Sequence, residues 1–183
     1  NCNRIKMYCF YRKQQVVRIP INFKKWIDKN QDSLKPPVCN KVVWEDSDFI
    51  IMVVGGPNSR KDYHVDVEEE FFYQVKGDML LKIIDNGQPK DIKIKEGEIF
   101  LLPPNVPHSP QRFKDSVGLV VEKTRKPNEL DGFQWYCDKC FTLLHEKFTQ
   151  VSNIVTELPV IFDEFWSNND YRQCRKCNHY MEK

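Results

Sequence analysis

The chain lacks both a long apolar run and an excess of charge of either sign. Its longest apolar stretch, residues 49–54, is far shorter than the roughly 20 residues that a membrane-spanning helix requires. The 28 lysines and arginines nearly balance the 26 aspartates and glutamates, and they form neither a basic stripe nor an acidic tail. We therefore expect neither nucleic acid nor a membrane as a partner.

The chain also lacks a secretory signal and an evident disulfide framework. Residues 1–6 contain no apolar core followed by a small-residue cleavage site. Since the sequence does not begin with methionine, we expect the native start upstream or at Met7. Three of the seven cysteines, Cys2, Cys9 and Cys39, have no evident partner. A reducing cytosol with metal-bound thiolates fits this arrangement better than secretion does, so we expect a cytoplasmic protein.

The other four cysteines form two Cys-x-x-Cys pairs, Cys137 with Cys140 and Cys174 with Cys177. Two such pairs can complete a tetrahedral four-cysteine site, which leaves no position for a substrate. We therefore predict a structural metal, and four sulfurs in a tetrahedron accommodate either zinc or iron. His145 and His179 are possible substitutes as ligands, although four cysteines make them unnecessary.

Periodicity and composition divide the chain into three segments without internal repeats. We expect an N-terminal extension at 1–20, a catalytic β-barrel at 21–135 and a metal-binding tail with the four paired cysteines at 136–183. In the central segment, many short alternating runs are separated by turn residues every 8–12 positions. This pattern predicts an all-β sandwich or barrel.

A few shorter patterns lie outside the strands. Residues 16–19 are a candidate edge strand, and Asn22 is a candidate N-cap for a short helix with apolar residues at helical spacing. Residues 141–148 and 160–166 have helical periodicity, so the tail is expected to be helical between its cysteine pairs.

His64, Glu70 and His108 provide a second candidate metal site, within the central segment. Two imidazoles and one carboxylate on one face of a metal leave the opposite positions open, as in non-haem Fe(II) oxygenases. Each residue also has an ordinary alternative, either as a hydrogen-bonded barrel histidine or as one of three adjacent solvated acids.

The surroundings of these residues resemble the two motifs of the cupin family across residues 55–112. The first motif is matched by Gly55 or Gly56, His64, Glu70 and Gly77, and the second by Gly97, Pro103, Asn105, His108 and Arg112. The resemblance implies a jelly-roll barrel that holds a catalytic metal through the two histidines and the glutamate.

Three residues depart from the cupin pattern. Asp66 stands where many cupins have another histidine, so it remains a possible extra ligand, although it would leave fewer open positions. Asn105 replaces a turn glycine, which is tolerable because asparagine visits the left-handed region readily. Arg112 replaces a terminal asparagine and places a cation just after the second histidine.

Longer runs resemble the 3-hydroxyanthranilate 3,4-dioxygenase family in particular. They are Gly55-Gly-Pro-Asn-Ser-Arg-Lys-Asp-Tyr-His64, Phe71-Phe-Tyr-Gln74, Val106-Pro-His-Ser-Pro-Gln-Arg112, Val117-Gly-Leu-Val-Val-Glu122 and Leu34-Lys-Pro-Pro-Val38. The likeness covers roughly residues 22–136. It implies an Fe(II)-dependent extradiol-type dioxygenase that opens the ring of 3-hydroxyanthranilate to 2-amino-3-carboxymuconate semialdehyde, on the kynurenine route to quinolinate and NAD. It also implies dioxygen as co-substrate, a homodimer, and a preference for rubredoxin-like iron in the four-cysteine site.

Residue chemistry and this resemblance together suggest roles around the metal. Arg112 can grip the substrate carboxylate through a bidentate fork that lysine could not reproduce. The resemblance assigns Arg60 to the dioxygen side and Glu122 to hydrogen bonds with polar substituents of the substrate, next to the metal ligand Glu70. Asn40 is a further candidate for the pocket lining. The ordinary alternatives are surface ion pairs for the arginines and a solvent-facing strand position for Glu122.

Two other classes of function remain open from the residues. A cupin isomerase acting on sugar phosphates would use a similar ligand set, but no convincing phosphate-binding loop is visible. A non-enzymatic interaction module organised by a zinc knuckle would explain the tail and leave the histidines and arginines without a role.

Overall fold

The computed structural model describes residues 17–36, 39–151 and 154–183. Its strands are β1 Asn40–Val42, β2 Phe49–Gly55, β3 Asp62–Val65, β4 Glu70–Lys76, β5 Met79–Asp85, β6 Gln88–Ile94, β7 Ile99–Leu102, β8 His108–Arg112, β9 Val117–Lys123, β10 Asp131–Tyr136 and β11 Leu143–Thr149. Its α-helices are α1 Phe23–Lys29, α2 Ile154–Ser167 and α3 Asn169–Arg172, and a 3-10 turn spans Gln31–Leu34. Within these described ranges, no helix has both the length and the apolar character needed to cross a bilayer.

The strands form two antiparallel sheets that face each other. One has the order β1-β2-β9-β4-β7, and the other has the order β11-β10-β3-β8-β5-β6. Strands β4 and β5 are consecutive in the chain but lie in opposite sheets, as expected for a jelly roll. Apolar side chains from both sheets meet in one core, which contains Val54, Phe72, Met79, Leu81, Ile83, Ile94, Leu102 and Val120. The predicted all-β, jelly-roll architecture is confirmed.

Alternation along the strands places two glutamates inside this barrel. In β4, Glu70 and Phe72 share the inward face, and in β9 Val120 and Glu122 do the same. Phe72 lies opposite Val120 in the antiparallel register, so the two inward faces are one surface. Since side chains in a strand alternate between faces, the apolar residues that bury these strands also force the glutamates into the interior. A buried carboxylate is costly unless it is paired or binds a metal.

Turn chemistry agrees with the sequence at two positions. Asn86 and Gly87 join β5 to β6 with φ angles of 50° and 74°, the pattern of the two-residue hairpin turn that fits twisted strands. Asn105 has a φ of 61°, so it does adopt the left-handed conformation of the glycine that it replaces.

The N-terminal part agrees with the predicted helix but not with the predicted edge strand. Helix α1 begins after Asn22, whose side chain accepts a hydrogen bond of 2.9 Å from the backbone N–H of Lys25. Val16 lies outside the described residues, and residues 17–19 form no strand. Arg18 instead donates to the carbonyl oxygen of Glu45 at 2.6 Å, which holds this segment by a side chain rather than by a backbone ladder.

The tail contains a strand that the sequence did not predict. The helical interpretation of residues 141–148 is wrong, because β11 pairs along the length of β10 and extends the six-stranded sheet. The helical interpretation of residues 160–166 is confirmed, because these residues lie in α2. A second core joins α2 to β10, and its buried members are Phe133, Trp135, Val151, Ile161, Phe165 and Met181.

Candidate active site

His64, Glu70 and His108 meet inside the barrel. They come from the ends of three strands, and one ligand atom from each lies within 4.8 Å of the others. His64 in β3 is the direct register partner of His108 in β8, and their ring centroids are 5.3 Å apart. The structure therefore brings together the three residues that the sequence proposed as metal ligands.

The geometry of the cluster suits a cation. Glu70 Oε2 lies 2.7 Å from His108 Nε2, yet this buried oxygen makes no aligned hydrogen bond. The other ring nitrogen of His108, Nδ1, donates to the carbonyl oxygen of Val106 at 3.0 Å, which fixes the orientation of the ring. An imidazole anchored in this way through its second nitrogen is the usual arrangement around a protein-bound metal.

Burial and mutual contact shift the pKa values of the three side chains in the cluster. Burial alone would raise the pKa of Glu70, but the imidazoles of His108 and His64 more than offset it and hold the pKa below its usual range. Burial lowers the pKa of His64, whereas the carboxylate of Glu70 raises the pKa of His108 in spite of burial. A divalent metal binds an ionised carboxylate and neutral imidazoles, so it would take the place of the proton on His108.

The cluster opens into a cavity of about 120 Å³ with one apolar and one charged side. The apolar lining includes Met52, Val54, Phe72, Val120, Phe133, Val151 and Leu158. The polar lining includes Asn40, Asn58, Arg60, Arg112, Glu122, Arg125 and Asp131. Asn40, Arg60, Arg112 and Glu122, which the sequence suggested for the pocket, thus all line it.

Arg112 is a buried cation at the end of β8. It is 4% exposed, and its side-chain partner is Gln74, whose Oε1 accepts from Nη1 at 3.4 Å. Among the described residues, no carboxylate forms an ion pair with it. Burial lowers its pKa to about 10, while the nearby carboxylate of Glu70 opposes this shift and the charge of Arg60 adds to it. A desolvated guanidinium of this kind is poised to bind an anion.

Glu122 and Arg60 are each paired within the protein. Glu122 is 4% exposed, and Arg125 Nη1 lies 3.1 Å from its Oε1. Burial, with a further contribution from Glu70, raises the pKa of Glu122 to about 7. Arg60 forms an ion pair with Asp62, in which Nε donates to Oδ1 at 3.2 Å. Neither residue is a surface ion pair or a solvent-facing strand position.

Two charged residues of this site were missed by the sequence interpretation. Arg125 is buried against Asp66, Glu122 and Asp131, with shortest N–O distances of 2.9, 3.1 and 2.7 Å. Asp131 in turn lies 2.7 Å from His64 Nε2. Asp66 therefore serves as an ion-pair partner and lies outside the three-residue cluster. The available signal was a charged residue at the head of a strand rich in aromatic residues, namely Asp131 before Phe133, Trp135 and Tyr136.

The four paired cysteines also meet. Cys137, Cys140, Cys174 and Cys177 each place a sulfur within 4.8 Å of the others. The shortest separations are 3.6 Å between Sγ of Cys137 and Cys177 and 3.5 Å between Sγ of Cys140 and Cys174. Both pairs form the same turn, with backbone N–H groups bonded to the carbonyls of Cys137 and Cys174 at 2.9 Å. Neither His145 nor His179 belongs to the cluster.

Two facing antiparallel sheets, with a cluster of two histidines and a glutamate that could hold a metal ion in the cavity between them, define a cupin-like jelly-roll barrel. Comparison with known proteins narrows this class. Residues 16–166 match the model of the family described as 3-hydroxyanthranilic acid dioxygenase. A 3-hydroxyanthranilate 3,4-dioxygenase of Xanthomonas euvesicatoria pv. vesicatoria is 52% identical over 160 residues, covering 87% of this chain and 90% of that protein. An enzyme of the same name from Burkholderia lata is 50% identical over 161 residues, covering 87% and 92%.

The chain belongs to the 3-hydroxyanthranilic acid dioxygenase family. This membership confirms the prediction of a dioxygenase and disfavours both the isomerase and the interaction-module alternatives. Among solved structures, a cupin-2 domain containing protein from Shewanella frigidimarina aligns with 56% of this chain and 93% of its own length, at a TM-score of 0.46 and 18% identity. That likeness is too slight to bear on function.

Proposed function

We propose that the chain opens the aromatic ring of 3-hydroxyanthranilate with dioxygen and yields 2-amino-3-carboxymuconate semialdehyde, both oxygen atoms entering the product. The observation that carries this proposal is Arg112, a buried guanidinium that faces the cavity beside the ligand cluster without a carboxylate partner among the described residues. A guanidinium in this position requires a substrate that carries an anionic substituent. The family membership and the relatives named above support the same reaction.

We assign the catalytic metal, Fe(II), to His64, Glu70 and His108, because two imidazoles and one carboxylate suit Fe(II) and leave positions for other ligands. When bound there, Fe(II) supplies the redox chemistry that joins the aminophenol ring to dioxygen. The protein supplies orientation, compensation of charge and a dry pocket.

Each charged side chain of the cavity has a proposed task. Arg112 holds the substrate carboxylate through two parallel N–H donors, which fixes the rotation of the ring. Glu122, whose pKa of about 7 lets it take up or release a proton near neutral pH, hydrogen bonds the hydroxyl and amine substituents. Arg60 stabilises negative charge that develops on the dioxygen side. The apolar wall, which includes Phe72 and Val120, excludes water from the reacting atoms.

The four-cysteine cluster would hold a structural metal, iron or zinc, in a tail at 136–183 that follows a catalytic barrel at 21–135 and an extension at 1–20. We further propose a cytoplasmic homodimer that serves the route from kynurenine to quinolinate and NAD.

The test is direct. The purified chain, loaded with Fe(II) without oxygen, is mixed with air-saturated 3-hydroxyanthranilate while ultraviolet absorbance and dissolved dioxygen are followed. We expect the absorbance of the ring-opened product to appear with consumption of one dioxygen per substrate. Absence of dioxygen uptake by the Fe(II)-loaded chain would refute the proposed reaction.

A further inference from the structure

The side chain of Arg60 is held from two sides. On one side it forms the ion pair with Asp62 described above. On the other, its guanidinium carbon lies 5.4 Å from the centroid of the Phe162 ring in α2, within the range of a cation–π interaction. The Arg60 side chain is 22% exposed, so this interaction is largely shielded from water.

The hydrogen bonds from β8 fix the backbone of Arg60 but not the direction of its side chain. Gln111 in β8 donates from Nε2 to the carbonyl oxygen of Arg60 at 2.9 Å, and Ser109 Oγ donates to the same oxygen at 3.3 Å. These bonds leave the long arginine side chain free to rotate. Asp62 and Phe162 are the groups that select one of its directions.

Phe162 is also connected to the cluster of His64, Glu70 and His108 through one further ring. Its ring packs edge-on against Phe133 with centroids 6.1 Å apart, and Phe133 stacks on His64 at 5.3 Å with the planes inclined by 24°. Phe162 therefore contacts both the guanidinium of Arg60 and the ring of Phe133, which stacks on His64. Leu158, one helical turn earlier on the same face, lines the cavity directly.

We propose that Phe162 is a positioning residue of the active site, which orients Arg60 toward the cavity. Helix α2 then belongs to the catalytic machinery as well as to the metal-binding tail. The inference rests on the proposed dioxygenase function and names one residue through which the tail supports it.

A role of Phe162 in core packing and a role in positioning Arg60 predict different effects of its replacement. Loss of core packing should lower activity by the same factor whether or not Arg60 is present. Loss of positioning should matter only while Arg60 is present, so the two effects should be non-additive in a double-mutant cycle.

The experiment compares Phe162→Leu, Arg60→Ala and the double variant, each loaded with Fe(II), at varied dioxygen. Cation–π energies correspond to roughly 3- to 30-fold in rate, so we expect Phe162→Leu to lower kcat/KM for dioxygen by about that factor. In the Arg60→Ala background the same substitution should cost less than about 2-fold. Phe162→Trp, which keeps an aromatic face, should restore most of the loss.

Two controls separate positioning from general damage. Phe165→Leu removes a fully buried ring of the same helix, which stacks on Trp135 with centroids 4.4 Å apart. It should lower Tm at least as much as Phe162→Leu does, with a smaller effect on kcat/KM for dioxygen. Binding of 3-hydroxyanthranilate without oxygen should stay within about 2-fold in Phe162→Leu, because Arg112 is untouched. Equal losses in both backgrounds, or no rescue by tryptophan, would overturn the inference while leaving the dioxygenase function standing. An inactive wild type would refute the function itself.

Discussion

Arg112 is difficult to explain by stability alone. A buried guanidinium without a carboxylate costs free energy, and an apolar residue at the end of β8 would remove that cost. Positive charge retained in a cavity beside the cluster of His64, Glu70 and His108 therefore favours a ligand that carries the complementary charge.

Replacement of Arg112 by alanine should consequently impair the reaction strongly. The lost fork to a carboxylate is on the order of 2–4 kcal/mol in a partly dry pocket. Steady-state kinetics on 3-hydroxyanthranilate should show kcat/KM lowered by roughly 30- to 1000-fold. Iron content should stay near that of the wild type, because Arg112 is not a ligand.

The matched substrate for this variant is 2-aminophenol, which keeps the hydroxyl and amine but has no carboxylate. The wild type should process it poorly, and Arg112→Ala should lose little more. A variant that loses as much activity on 2-aminophenol as on 3-hydroxyanthranilate would show that Arg112 does not anchor the carboxylate.

Glu122 should make the metal-free protein less stable as pH rises. Burial, then the charge of Glu70, raises its pKa from the usual 4.5 to about 7, so between these values the folded protein holds a proton that the unfolded chain has lost. The contribution of Glu122 to the unfolding free energy should therefore fall across this window. In Glu122→Gln this contribution is absent, and the fall should be smaller by on the order of 1–3 kcal/mol.

Urea denaturation at pH 5 and pH 8 measures that difference. The comparison uses the change with pH within each protein, because the substitution also removes the ion pair with Arg125. Identical changes in the two proteins would mean that Glu122 titrates normally in the folded state.

The residues of the family motifs could be found from the sequence, whereas the charged residues that contact them could not. His64, Glu70 and His108 sit in a spacing that resembles cupin motifs. Arg125 and Asp131 belong to no motif, and their roles arise only when the ends of β3, β9 and β10 meet.

At the scale of elements, β11 shows why local periodicity was insufficient. Residues 141–148 place apolar side chains at helical spacing, yet the open edge of β10 offers backbone partners along its whole length. Pairing with that edge satisfies more backbone groups than a short isolated helix could, so tertiary context determined the outcome.

The four-cysteine cluster ties β10 to the chain that follows α3, and its metal should stabilise the tail. Cys140→Ser should remove one metal per chain and lower Tm by roughly 10 °C, since losing 3–5 kcal/mol shifts a chain of this size by about 2–4 °C per kcal/mol. Metal analysis and calorimetry check both effects, and catalytic iron should be less affected.

Cys39→Ser is the control for this element. Cys39 is buried outside the cluster and should keep the full metal count. If Cys140→Ser matches the wild type in both metal content and Tm, the cluster does not hold a structural metal.

At the scale of the whole molecule, catalytic iron should act as a stabilising ligand. Fe(II) added without oxygen at about 100 times its dissociation constant should add about 2.7 kcal/mol, or roughly 5–10 °C in Tm. Single alanine replacements of His64, Glu70 and His108 should abolish both this shift and ring opening. The Tm of the Cys140→Ser variant should still rise when Fe(II) is added. If an alanine variant keeps both the Tm shift and the activity, the replaced residue is not a metal ligand.

The direct pairing of His64 with His108 has a consequence for folding. Displacing β3 against β8 by one position would turn one of the two imidazoles to the outside of the sheet, because successive side chains point to opposite faces. Only chains with the correct strand alignment can then offer both nitrogens to one ion. Iron binding would thus discriminate against misaligned barrels, and the fraction of refolded chains that retain iron would report how many have reached the native alignment.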